Sequence, residues 1–155
     1  MRFTKWTIAA LFLTCAIASQ AATQERKLKR SDLPAAVQKT ADQESHGARV
    51  RGYSSEMDEG QRVYEVALTL HGHNRDVTIA ADGSVVEIEE QVALDSLPAP
   101  VKAGLLQLAG SGKITRVESL TKGGAIVAYE AQVRAGTKRS EVQVGPDGKP
   151  RAHPE

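Results

Sequence analysis

Apolar and polar residues alternate with a period of two in several short runs of this chain. In RVYEVALTL (62–70), Tyr64, Val66, Leu68 and Leu70 take every second place, with Glu65, Ala67 and Thr69 between them. That period puts one set on a buried sheet face and the other on an open face. Val77 and Ile79, then Val86 and Ile88, continue the inward set, while Glu87 and Glu89 point out. HGHN (71–74) is expected to be the first turn, and ADGS (81–84) holds an Asp-Gly pair suited to a tight hairpin. A second series carries Tyr129, Ala131 and Val133, then Val142 and Val144, and ends in the turn GPDG (145–148). Two less sharply marked strands are expected over 48–56 and 113–121.

Elsewhere the period is helical. SDLPAAVQKTADQ (31–43) offers Ser31 or Asp32 as a cap, Pro34 in the first turn, and a stop at His46-Gly47. Further on, Ser96 is the expected cap. Pro98 follows it, and Pro100 pushes the helix start one or two residues later. Val101, Leu105 and Leu108 form an i, i+4, i+7 stripe before Gly110-Ser111-Gly112 ends the helix.

The two series match. Leu33-Pro34-Ala35-Ala36-Val37 corresponds to Leu97-Pro98-Ala99-Pro100-Val101 at a shift of 64 residues. Tyr64-Glu65 corresponds to Tyr129-Glu130, and Asp82-Gly83 to Asp147-Gly148, both at a shift of 65. A duplicated unit is therefore expected, at 31–95 and 96–149. The first unit has a strand after its Asp-Gly turn, whereas KPRAHPE (149–155) carries prolines that lack a ladder donor. The expected architecture is α+β, αββββ then αβββ, with the helices packed on one face of an antiparallel sheet.

The ends alter the picture of compartment. Arg2 and Lys5, the apolar run at 6–18 and the small residues SQAA (19–22) are the three parts of a secretory signal peptide. The apolar run is shorter than the roughly 20 residues a membrane span needs. FLTC fits a lipoprotein box poorly. Residues 1–22 are read as a signal, with cleavage after Ala21 or Ala22, and the mature chain as periplasmic or secreted. Cleavage would remove Cys15, the only cysteine, so the mature core is stabilised without disulfides. It would also leave 18 positive side chains against 19 acidic ones. Such a balance gives no reason to expect nucleic acid or an anionic membrane as partner. The charged stretch 23–30 reads as a flexible lead-in, and 150–155 as a frayed tail.

Three features together resemble the PepSY-like family, whose members are also described as β-lactamase-inhibitor-like. They are the doubled Leu-Pro helix starts, LPAAV and LPAPV; the Tyr64-Glu65 and Tyr129-Glu130 strand pairs; and the turns Asp82-Gly83 and Asp147-Gly148. GSVVEIEEQVALDSLP (83–98) resembles the family's bridge between units. The resemblance spans 31–148. It implies a protein outside the cytoplasm that binds other proteins, in the manner of hydrolase inhibitors or peptidase propeptides, and it brings no catalytic residues and no cofactor.

Candidate chemistry is sparse. Glu65, Asp76, Glu87 and Glu89, with Glu130 and Glu141 in the second unit, recur on the outward strand positions. They are read as a solvated sheet face that could bind a basic partner or a hard cation. Large aromatics, the usual anchors of tight interfaces, are missing from those positions. His71 and His73 are weak metal candidates, because zinc wants three or four protein ligands and only Asp76 is near in sequence. Ser111 belongs to a helix stop and lacks a base. The expectation is a monomeric, non-catalytic module. It binds an envelope or extracellular protein through its open face and hairpin tips; a small-ligand or metal-ion binder is the alternative.

Overall fold

The computed structural model describes residues Glu25–Arg151. The expected signal peptide, its cleavage site and residues 152–155 lie outside them. Ten elements follow in order: β1 (Arg26–Leu28), α1 (Ala35–Glu44), β2 (Arg49–Asp58), β3 (Gln61–Leu70), β4 (His73–Ala80), β5 (Val85–Gln91), α2 (Ala99–Ala109), β6 (Lys113–Lys122), β7 (Ala125–Ala135) and β8 (Lys138–Val144). The eight strands form one antiparallel sheet in chain order, and this is an α+β fold.

Both helices begin later than the serine and aspartate caps suggested. Leu33 and Leu97 precede prolines, which bars them from the helical region, and both are extended, with ψ 146° and 151°. Pro34 and Pro98 are therefore the N-caps, and no side chain caps either helix. Ser31 and Asp32 belong to a single 3-10 turn, Arg30–Asp32, where the Asp32 carboxylate accepts from the Lys29 N–H at 2.9 Å. Ser96 closes a second such turn and donates to the Ala93 carbonyl at 2.7 Å. Pro100 does not delay α2, because a first-turn N–H has no helical acceptor to lose.

The alternating pattern packs as its period requires. Val37 and Ala41 of α1, with Leu33, close over Val66, Leu68, Val77 and Ile79, and Tyr64, Tyr53 and Ile88 lie partly buried around them. Val101 and Leu105 of α2 close over Val117, Tyr129, Ala131 and Val144. Leu108 does not complete its stripe. It is 38% exposed and lies beside Val142 and Pro150, where β8 is the last of the described strands.

Each Asp-Gly turn docks on the first turns of its helix. Thr40 donates to the Gly83 carbonyl at 2.6 Å. Gly83 has φ +89°, and a Cβ there would meet the Ala36 carbonyl oxygen at 2.9 Å. Gly148 has φ +80°, and its Cβ would meet the Pro100 oxygen at 2.2 Å. The turn expected at 71–74 is not the first, since Glu59-Gly60 already joins β2 to β3, and it is shorter than expected: His71-Gly72 makes it, and His73 already begins β4.

Two boundaries also change. The lead-in forms β1, which pairs Arg26, Lys27 and Leu28 with Ser55, Ser54 and Tyr53. Leu28 is the reason: it shares the helix-side face and packs on the first core. At the other end Pro150 bridges Val144, and the Arg151 N–H donates to the Gln143 carbonyl at 3.1 Å.

Candidate functional site

All six acids singled out in the sequence lie on the sheet face opposite the helices. The register places them in rows. Ser54, Glu65, Thr78 and Glu87 stand opposite one another across β2 to β5. Ala67, Asp76, Glu89 and Leu120 form the next row. Gln91, Glu118, Glu130 and Gln143 cross β5 to β8, and Glu141 stands opposite Gln132.

The face is not the solvated surface the sequence suggested. Glu118 is only 4% exposed, and Leu120 and Ala128 near it, with Ser54 and Val63 further along the same face, are buried although no described helix lies on that side. The sheet itself must shield them by curling. Arg51 of β2 and Glu118 of β6 interact electrostatically although four strand spacings separate them. On a flat sheet that separation would be about 19 Å. Antiparallel strands carry a right-handed twist that accumulates across eight members. The bulges at 50–52 and 114–116 sharpen it.

Curling crowds carboxylates into a concave, poorly hydrated surface. Burial pushes the Glu65 carboxyl up to about 7, with Asp76, Glu25 and Glu56 adding repulsion. Burial pushes Glu89 to about 8, followed by repulsion from Glu87, Glu118 and Glu130. Glu118 and Glu130 are also raised, again chiefly by burial. Both forces disfavour the charged form. Cations offset only part of this. Arg51 binds Asp76 and donates from Nε to the Leu68 carbonyl at 3.0 Å. Lys122 lies 3.1 Å from Glu87, and Arg116 Nε 3.3 Å from Glu118. Glu89 shares a hydrogen bond with Glu87.

Glu118 escaped the sequence reading. Its strand alternates as Val117, Glu118, Ser119, Leu120, with small and polar residues on both faces, so periodicity did not orient it. The usable signal was the match at 64 residues, which aligns it with Ser54, the neighbour of Glu65.

The remaining candidates stay apart from this face's centre. His71 is exposed in its turn, and His73 is exposed at the start of β4. Among the described residues no three His, Cys, Asp or Glu side chains converge on a point that could hold a metal ion. Ser111 is exposed after α2. The described aromatics, Tyr53, Tyr64 and Tyr129, all pack into the helix-side cores, which leaves the concave face without an aromatic anchor. Among the described residues no helix is long and apolar enough to cross a membrane.

No family model matches the chain, and no curated protein does. Solved structures do. A protein of Bacteroides eggerthii provisionally assigned to the periplasm superposes with a TM-score of 0.63 at 18% identity, over 76% of this chain and 85% of its own. A DUF2874 family protein of Bacteroides ovatus gives 0.60 at 18% identity, over 76% and 84%. A BLIP-like protein of Bacteroides fragilis gives 0.57 at 15% identity, over 77% and 83%. At these identities the likeness is one of fold: this chain shares the helix-backed antiparallel sheet of the BLIP-like and DUF2874 proteins.

Proposed function

We propose that this chain is an exported, non-catalytic binding module that holds a cationic segment of a partner protein against its concave acidic face. One observation carries the reading. Glu65, Glu89, Glu118 and Glu130 are partly or wholly withdrawn from water on a face that no described element covers. Withdrawing carboxylates from water is unfavourable unless something compensates it. A partner's lysines or arginines would compensate it. Perturbed carboxylates gathered in a cleft are where function is most often found. Export rests on the Arg2/Lys5 start and small-residue exit, and the periplasmic assignment of a protein of like fold supports it.

We also read the halves as tandem copies of one PepSY-like unit. Matched residues at matched registers support this: Ser54 with Glu118, Glu65 with Glu130, and Asp76 with Glu141.

The test is capture from an envelope fraction by wild-type protein and by a Glu65→Gln/Glu89→Gln variant, with folding checked by circular dichroism. A partner of the proposed kind is released by a few hundred millimolar salt, binds more tightly at pH 8.5 than at pH 6, and is captured poorly by the variant. The pH dependence follows because a cation binds the ionised acids and must displace their protons. Capture that is equal for both proteins and indifferent to salt would sink the proposal.

A further inference from the structure

At its β6–β8 end the same sheet face changes sign. Lys113 of β6 stands opposite Arg134 of β7, and Arg134 stands opposite Arg139 of β8. Side chains directly opposite on antiparallel strands lie about 5 Å apart at Cβ, and like charges so placed repel. Among the described residues neither Arg134 nor Arg139 has a hydrogen-bond or ion-pair partner, and both are exposed. Arg116 joins them, its Nε buried and without a hydrogen bond, since its contact with Glu118 lacks hydrogen-bond geometry. Together with Thr115, Gln132 and Ser140 they line a groove of about 730 Å³, closed on its acidic side by Glu141.

The fold does not require this arrangement, as the first half shows. There the matched row is Arg49, Thr69 and Asn74, a single cation whose Nη2 donates to the Thr69 hydroxyl at 3.4 Å. The counterpart of Arg116 is Gly52, and the bulge position of Thr115 is taken in the first half by Arg51, which is engaged by Leu68 and Asp76. Over these positions the first half thus carries two cations, Arg49 and Arg51, whereas the second clusters Lys113, Arg116, Arg134 and Arg139, of which Arg116 contacts Glu118.

We propose that this groove is a binding site for a multiply charged oxyanion, of phosphate or carboxylate type, held by Arg116, Arg134 and Arg139 with Lys113 at its rim. Guanidinium forks match oxyanion geometry, and their mutual repulsion disappears when an anion sits between them. Thr115, whose hydroxyl donates to the Gln132 carbonyl at 3.2 Å, and Gln132 complete the wall. Glu141 limits affinity from the opposite wall. The site does not depend on what occupies the acidic stretch.

Titration calorimetry with sodium tripolyphosphate and, separately, citrate tests it. Binding to at least one probe is expected, and comparison of the two identifies the oxyanion class preferred. Arg134→Gln/Arg139→Gln should weaken it about tenfold or more, while Glu141→Gln should strengthen it. A control that removes two distant charges, Arg26→Gln/Lys39→Gln, should bind as wild type does. The double variant should also melt at a higher temperature without ligand, a readout independent of binding, and Lys113→Gln is a milder substitute should it fold poorly. No heat with either probe at millimolar concentration overturns the site. So does an equal loss in the control, which would mean that net charge alone attracts the anion.

Discussion

At the scale of single residues, matched sequence positions turn out to be unequal in burial. Tyr129 is 8% exposed within the second core, whereas Tyr64 lies at the margin of the first. Tyr129→Ala should cost roughly 3–5 kcal/mol of stability, and Tyr64→Ala measurably less, as read by urea denaturation. Equal losses would mean that Tyr64 is as deeply packed as its counterpart. Alternation told which face each tyrosine joins, because a period of two admits only two answers. It did not tell how much cover that face receives, which depends on where each helix lies. The carboxylates show the same limit more sharply. Glu65 and Glu89 were placed correctly on the face without helices, but their desolvation arises from the sheet's curvature, to which no single strand's pattern testifies.

At the scale of elements, the joints between helix and turn are the most constrained places. Gly148 combines a left-handed backbone with a carbonyl of α2 where its Cβ would be, and the Gly104 Cβ position is blocked in turn by the Gly148 oxygen. Gly148→Ala should lose about 1–2 kcal/mol for the backbone conformation and a further ~1–3 kcal/mol for the contact. Gly72, at φ +87° with open space around it, should lose only the first when changed to Ala. Thermal melts of the two variants side by side check the difference; similar melting temperatures would mean that the turn can lift off α2 freely. The Asp-Gly pairs marked these turns in the sequence, and the Leu-Pro pairs marked the helix starts. The caps were misjudged because a proline's constraint on the preceding residue outweighs the local preference of Ser31, Asp32 and Ser96. The strand at 26–28 was hidden because three residues, two of them charged, are too few to show a period.

For the whole molecule, the concave face ties stability to pH. Glu65 and Glu89 have folded-state values of about 7 and about 8, above an unfolded value near 4.5. The folded chain therefore holds protons that the unfolded chain has lost, and stability must fall as pH rises between those limits. Facing Glu89 are Glu87, Glu118 and Glu130, whose repulsion adds to the effect of burial, while Lys122 pairs with Glu87. Melting temperature should decline from pH 5 to pH 8.5 and then level off, and Glu65→Gln/Glu89→Gln should flatten the decline. A wild-type profile without slope over that range would contradict the desolvation described for these groups. The strand order has a kinetic consequence of its own. Because β1 to β8 lie side by side in the sequence in which they occur, most pairings join segments that are close along the chain, and folding rates rise as contact order falls. A polypeptide arriving N-terminus first finds the partner of each new strand already in place. The slow steps should be the closures of β2 onto β1 and of β6 onto β5, the two pairings that must wait for a whole helix to emerge between their members.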